Sequence, residues 1–271
     1  MVLLGPQGVS APFPIGILAG VSAPRLLIIQ PDESDPAGPL GDWFTDAGAE
    51  LDIRRAWTGD VPDSTDGYQG VVCLGGEMNA GEDDTYPWLA DVRRLLAAAA
   101  HGGMPTLGVC LGAQLLAVAT GGRVTVGDKG PEVGAYLIAK KDAAWTDPLF
   151  AELPLMPDVL HFHTDVVTSL PPGAVLLASS PKYPHQAYRL GRAAYGIQFH
   201  IETTVEVAQT WAGGAPDLAA AAKPGSFDTA KLTELHADLA ETWRPFAARF
   251  VQLAAGDLQP ATPPNRTLPL A

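Results

Sequence analysis

Apolar runs alternate with stretches of helical periodicity over the first half of this chain. The runs cover residues 26–29, 71–74 and 104–109, and each has the length and composition of a buried strand. Residues 51–56, which mix apolar and charged side chains, predict a further strand. Between them, apolar side chains recur every three or four positions over residues 40–47 and 88–96. This alternation predicts an α/β fold, in which a mostly parallel sheet is covered by helices on both faces.

The second half has a different pattern, in which short candidate strands follow one another with turn residues between them. We predict hairpins or added antiparallel strands here. Two helices close the pattern: one begins after Thr203, which fits a capping box with Glu206, and the other runs through Leu232 and Phe250 with a kink at Pro245. The candidate strands cover residues 123–126, 134–139, 159–162, 165–169, 174–178 and 194–199.

Composition divides the 271 residues into three predicted regions. Residues 1–24 are rich in Gly, Pro and Ser, and their apolar side chains follow neither helical nor strand periodicity. We predict an extended arm or a leader here. Residues 25–255 carry the regular pattern and predict one domain, since the chain is long enough to bury a full core. Residues 256–271 predict a loose, Pro-rich tail.

Charge and cysteine content exclude several classes of function. The net charge of −13 argues against a nucleic-acid partner, because binding to phosphates needs clustered Lys and Arg. No run of about 20 apolar residues is present, so we expect no membrane span. Two cysteines do not form a disulfide framework, and we therefore expect a cytoplasmic protein.

The segment from Gly108 to Gly112 carries the strongest chemical signal. Cys110 lies between these two glycines, directly after a predicted strand and directly before a predicted helix. This arrangement matches a nucleophile elbow, with sulfur in place of the usual hydroxyl. The helix N-terminus places unpaired N–H groups beside the sulfur, which favours the nucleophilic thiolate. The alternative is a small buried hydrophobic residue, and this is the interpretation we give to Cys73.

A thiolate nucleophile needs a proton-transferring partner, and His200 is the best candidate. It ends a predicted strand, and Glu202 follows two positions later, on the same side of an extended chain. Glu202 can therefore orient the ring. His101 and His236 are predicted surface residues, and His185 a loop residue.

Two further observations bear on chemistry at this site. Gly75 and Gly76 follow the predicted strand expected beside the Cys110 strand, so the N–H groups of Gly76 and Leu111 can form an oxyanion hole. The alternative for the two glycines is a plain turn. His161 and His163 have strand spacing, but no convincing further ligand set accompanies them, and no phosphate-binding glycine loop is present. We therefore predict no metal and no cofactor.

These segments together resemble the class I, or triad, glutamine amidotransferases. The resemblance covers roughly residues 25–209. Within the family, the sequence is most similar to the glutaminase domain of GMP synthase and to its free-standing relatives. It implies a flavodoxin-like sheet with added antiparallel strands, and a glutamine amidotransferase domain at residues 25–255. The matching segments are residues 74–76, 108–116 and 196–202, with 163–165 resembling a motif near the glutamine pocket.

The resemblance also implies roles for individual residues. Cys110 attacks the side-chain amide of glutamine, His200 transfers protons, and Glu202 orients His200. Gly76 and Leu111 stabilise the oxyanion. Gln114 holds the substrate, and Asp165 contacts its α-amino group.

The sequence departs from the family in one position and leaves the acceptor open. Ile201 stands where many members have proline, and residues after the match resemble no synthetase domain. Ammonia released from glutamine would then pass to a separate synthetase subunit. Alternatives are a γ-glutamyl peptide or amide hydrolase without an acceptor, and a catalytically silent regulatory subunit. A Cys-dependent peptidase or deglycase on the same sheet lacks the His-x-Glu segment.

Overall fold

A computed structural model describes residues 23–262. In chain order its strands are β1 Arg25–Gln30, β2 Glu50–Arg55, β3 Gly70–Cys73, β4 Thr106–Val109, β5 Arg123–Val126, β6 Glu132–Leu137, β7 Ala139–Lys140, β8 Asp158–His163, β9 Asp165–Ser169, β10 Val175–Ser179, β11 Ala187–Leu190 and β12 Ala194–Ile197. Its α-helices are α1 Gly38–Asp46, α2 Trp88–His101, α3 Leu111–Ala119, α4 Val205–Gly214, α5 Pro216–Ala219 and α6 Thr229–Ala255.

The central sheet has eight strands in the order β2-β1-β3-β4-β12-β11-β10-β7. The five strands from β2 to β12 pair parallel with one another, and β11, β10 and β7 are added by antiparallel pairing. This confirms the predicted α/β fold with added antiparallel strands. The carboxyl ends of β3, β4 and β12 lie side by side, which is where open α/β sheets place their sites.

Helices cover both faces of the sheet, and the side chains of β1 are buried on both faces. Leu26 and Ile28 pack into a core that includes α1 and α6, while Leu27 and Ile29 pack against α2 and α3. Because successive side chains on a strand point to opposite faces, a strand buried on both faces reads as a continuous apolar run.

Two short ribbons complete the fold beside the sheet. One pairs β5 with β9, and the other pairs β6 with β8, both antiparallel. An isolated bridge between Leu160 and His200 ties β8 to the segment after β12. Strand β8 therefore runs beside the segment that follows the carboxyl end of β12.

Some predicted elements were wrong in detail. Strand β11 was not predicted, because its Arg189 is buried against Asp147 at 2.7 Å and breaks the apolar pattern. The cap of α4 is Thr204 rather than Thr203: the Thr204 side chain accepts from the N–H of Val207 at 3.2 Å. Helix α6 is assigned as one helix across Pro245, and the kink stays a prediction.

The predicted terminal regions lie mostly outside the described residues. This applies to residues 1–22 of the predicted arm and to residues 263–271 of the predicted tail. The domain bounds at 25 and 255 stay predictions. Within residues 23–262, no helix combines the length and apolar character needed to cross a membrane.

Candidate active site

Cys110 occupies a strained turn between β4 and α3. Its φ of 49° and ψ of −107° make it the one non-glycine residue with positive φ among residues 23–262. Such a conformation persists only where the surroundings enforce it, and it is typical of functional sites. The backbone N–H of Cys110 donates to the Ile197 carbonyl at 2.8 Å, which fastens the turn to β12.

The two flanking glycines are required by close packing. A Cβ at Gly108 would lie 2.5 Å from the Gly112 carbonyl oxygen, and a Cβ at Gly112 would overlap the Cys73 carbonyl oxygen. The glycine pattern in the sequence therefore reflects a steric requirement of this turn. Cys73 itself lies fully in the core, where burial raises the pKa of its thiol.

His200 and Glu202 lie together just beyond β12. The ring Nδ1 of His200 is 2.6 Å from Glu202 Oε1, and the other carboxylate oxygen accepts from the N–H of Ile201 at 2.8 Å. Both side chains are buried. Burial disfavours the charged ring, but the Glu202 carboxylate and the Cys110 sulfur hold the pKa of His200 well above its usual value. The structure thus brings these three predicted residues into one interacting group.

Gly76 and Leu111 are neighbours in space, as the oxyanion-hole prediction requires. A Cβ at Gly76 would lie 2.9 Å from Leu111 Cδ2. Within residues 23–262, neither N–H is engaged by another backbone group. Both N–H groups are therefore without a competing backbone acceptor, and their role in an oxyanion hole stays a prediction.

Gln114 and Asp165 are linked through the backbone. The side-chain amide of Gln114 donates to the Asp165 carbonyl at 3.0 Å and to Gln198 Oε1 at 3.3 Å. Gln198 in turn lies 3.7 Å from the Cys110 sulfur. Burial raises the pKa of the Asp165 carboxyl. Gln198 was part of the matched sequence segment, but sequence reasoning assigned it no role.

These residues line one cavity of about 320 Å³. Cys110, His200, Gln114 and Asp165 all contribute to its wall. On the His200 side the wall is aromatic: the Trp211 ring lies 4.7 Å from the His200 ring, centroid to centroid. The Trp211 indole N–H donates to the Ser34 carbonyl at 3.0 Å, which fixes the ring in that position.

Asp35 is a cavity residue that sequence reasoning missed. It follows β1, and a Cβ at Gly75 would be 2.5 Å from Asp35 Oδ2 and 3.1 Å from His200 Cε1. Burial raises the pKa of Asp35 to about 7, although the charge of His200 opposes that rise. The one sequence signal for Asp35 is its place just after the carboxyl end of a parallel strand.

Glu132 is a second missed residue, and it joins the two histidines for which the sequence offered no further ligand. Glu132, His161 and His163 are buried together on β6 and β8, with ligand atoms within 4.8 Å of one another. Within residues 23–262, this is the group of side chains with the composition to hold a metal ion. Of the other histidines, His101 is exposed and His185 lies in a loop as predicted, whereas His236 is half-buried.

The fold and this site define a class of protein: an α/β protein with a cysteine nucleophile candidate at a strand–helix turn. The family model of class I glutamine amidotransferases matches residues 44–210. The chain therefore belongs to the class I glutamine amidotransferase family.

Individual relatives agree with this assignment. GMP synthase from Christiangramia forsetii is 33% identical over 144 residues, which is 52% of this chain and 26% of the relative. Gamma-glutamyl peptidase 5 from Arabidopsis thaliana is 31% identical over 169 residues, or 60% of this chain and 66% of the relative. The crystal structure of a glutamine amidotransferase from Thermotoga maritima superposes with a TM-score of 0.74 at 29% identity, covering 85% of this chain and 99% of that one.

Proposed function

We propose that this protein hydrolyses a γ-glutamyl amide through a thioester on Cys110. The observation that carries the proposal is the shared cavity, in which a strained cysteine at a helix N-terminus faces a histidine held by a carboxylate at 2.6 Å. The family relationship supports the same chemistry, because its members include glutamine-hydrolysing proteins.

The proposed reaction has two halves. The Cys110 sulfur attacks the amide carbon, and the N–H groups of Gly76 and Leu111 stabilise the oxyanion. His200 donates a proton to the leaving nitrogen, the C–N bond breaks, and a γ-glutamyl thioester remains. His200 then accepts a proton from water, whose oxygen attacks the thioester carbon. The C–S bond breaks, Cys110 leaves as the thiolate, and glutamate is released. Glu202 orients the His200 ring and stabilises its charged form.

The substrate contacts follow from the wall of the cavity. Gln114 is held by the Asp165 carbonyl, so its own carbonyl oxygen is free to accept from the substrate. The Asp165 carboxyl lies on the same wall and suits the α-amino group of a glutamyl substrate. As the acceptor of released ammonia we propose a separate synthetase subunit, which the likeness to part of GMP synthase supports.

A second candidate substrate is a γ-glutamyl amide with a leaving amine larger than ammonia. The cavity of about 320 Å³ falls in the range that encloses drug-sized ligands. Its wall continues past His200, which is the side of the leaving nitrogen, to Trp211 and Phe162. The likeness to gamma-glutamyl peptidase 5 supports this candidate independently.

The test is hydrolysis of glutamine and of γ-glutamyl dipeptides by the purified chain, with labelling by a diazoketone analogue of glutamine. We expect glutamate release, one label on Cys110, and loss of both in Cys110→Ala. Cys73 is the internal control for labelling, because it is buried in the core. Intact substrates at high enzyme concentration together with an unlabelled Cys110, with and without cell extract, would refute the proposal.

A further inference from the structure

Glu132, His161 and His163 meet because of the register between β6 and β8. Glu132 is paired with His163 across the two strands, and Gly134 is paired with His161. His161 and His163 are two positions apart on one strand, so both project from the same face as Glu132. This register cannot be derived from the spacing of the residues along the chain.

The buried nitrogens of this cluster lack partners. His161 is fully buried, and neither of its ring nitrogens has a hydrogen-bond partner among the described residues. The Nε2 of His163 is also buried, and the group nearest to it is the Glu132 carboxylate at 3.3 Å. Buried polar groups in folded proteins nearly always have a partner in protein, water or an ion. A fully buried His161 with no partner at either nitrogen, beside His163 and Glu132, therefore calls for a ligand.

The remaining contacts orient the side chains as metal ligands are usually oriented. His163 Nδ1 lies 3.0 Å from the Asp165 carbonyl oxygen and must donate a hydrogen bond to it. In a neutral ring the proton is then on Nδ1, and Nε2 carries the lone pair. That nitrogen lies 3.3 Å from Glu132 Oε2. Glu132 accepts from Ser180 Oγ at one oxygen and from Gln186 Nε2 at the other, both at 2.6 Å. Metal-bound histidines and carboxylates have such outer partners.

We propose that Glu132, His161 and His163 bind a divalent transition-metal ion, and that zinc is the ion this ligand set suits. Two imidazoles and one carboxylate are a common zinc set, with water able to complete the coordination. A charged His163 could instead pair with Glu132 alone, but both nitrogens of His161 would then remain without a partner. An ion accounts for His161, His163 and Glu132 together.

Binding would draw the ligands slightly closer. Two atoms each about 2.1 Å from one ion lie at most about 4.2 Å apart, and the ligand atoms of the cluster lie within 4.8 Å of one another, so any adjustment is small. The ion would brace the Thr164 and Asp165 segment, which lines the cavity of Cys110. The proposal does not depend on the hydrolytic function, because the ion holds a wall and takes no part in the reaction steps.

The experiment measures zinc on the full chain in a Cys110→Ala background, which removes thiolate binding at the active site. After removal of metal by a chelator, we titrate zinc against a chromophoric competitor and record the absorption spectrum with cobalt(II). We expect one equivalent of zinc per chain, a zinc-dependent rise in Tm that magnesium does not produce, and a cobalt spectrum without a thiolate charge-transfer band.

Variants then locate the site. Glu132→Gln and His161→Gln are each expected to weaken zinc binding at least tenfold, whereas the exposed His101→Gln serves as the matched control and leaves it unchanged. Zinc binding that is absent in the Cys110→Ala chain would overturn the proposal without affecting the proposed hydrolysis. Binding retained in folded Glu132→Gln and His161→Gln would overturn it equally.

Discussion

At the scale of single residues, the charge of the His200 ring depends on two neighbouring groups, the Glu202 carboxylate and the Cys110 sulfur. Glu202 and Cys110 hold the pKa of His200 high against the effect of burial. A charged ring at neutral pH is the form that can protonate a leaving amine. The contact with Glu202 therefore decides whether the ring can act as an acid.

Glu202→Gln is expected to lower the pKa of His200, because it removes a negative charge 2.6 Å from the ring. The fraction of charged ring then falls at neutral pH, so kcat/KM is expected to drop by about 10²–10⁴-fold. The alkaline limb of the pH–rate profile is expected to move to lower pH. The exposed Glu206→Gln is the matched control. A profile in Glu202→Gln that coincides with that of the wild type would contradict this role.

The burial of the Asp35 carboxyl opposes folding when the group is charged. Its pKa is raised to about 7 in the folded protein, so the folded state holds a proton that the unfolded state loses near pH 4. Stability is therefore expected to fall as pH rises toward 7 and to stay at the lower level above it. Asp35→Asn has no carboxyl to titrate and therefore does not show this fall. The unfolding free energy of Asp35→Asn minus that of wild type is expected to be larger at pH 8 than at pH 5 by roughly 2–3 kcal/mol.

Urea unfolding of both proteins at the two pH values measures this difference. Glu33→Gln is the control, since Glu33 is an exposed carboxylate two positions away. A gain in Asp35→Asn that is the same at pH 5 and pH 8 would show that the carboxyl titrates normally.

At the scale of elements, the turn between β4 and α3 is fixed by its contact with β3. Gly112→Ala places a methyl group onto the Cys73 carbonyl, which cannot move without breaking the β3–β4 pairing. We expect labelling of Cys110 by the diazoketone to slow at least tenfold, because the sulfur loses its position. Gly213→Ala is the matched control, since α4 has open space at that position. Equal labelling rates in the two variants would refute the steric argument.

Elements with one dominant local cause could be predicted from the sequence. The strands β1, β3 and β4 are buried on both faces and read as apolar runs, and the glycines around Cys110 mark a turn that tolerates no other residue. Cys110 and His200 meet because β4 and β12 are neighbours in the sheet, whereas the family resemblance implied only that the two residues act together.

Features that arise from pairing between distant segments could not be predicted in the same way. Strand β11 depends on the burial of Arg189 against Asp147, which the local pattern does not reveal. Glu132 reaches His161 and His163 only through the β6–β8 register. Asp35 gains its raised pKa from a tertiary cavity. In each case the decisive partner is far away along the chain.

At the scale of the whole molecule, α6 completes one face of the sheet although it lies outside residues 44–210, which the family model matches. Trp243 is fully buried there, with its ring 5.2 Å from Phe199 and 6.4 Å from Phe150, centroid to centroid. Its indole N–H donates to the Asp158 carbonyl at 3.0 Å, at the start of β8. Helix α6 thus supports Phe199, the residue directly before His200.

Trp243→Ala is therefore expected to lower the free energy of unfolding by about 3–5 kcal/mol, as large core truncations do. The exposed Glu241→Ala, on the same helix, is the control and is expected to change stability by less than about 0.5 kcal/mol. Chemical denaturation of both variants measures the difference. A small effect at Trp243 would mean that α6 is dispensable to the fold. A large effect would show that the central sheet needs a helix from beyond residues 44–210. The reason is that Trp243 of α6 packs with Phe150 and Phe199, which lie within the matched residues.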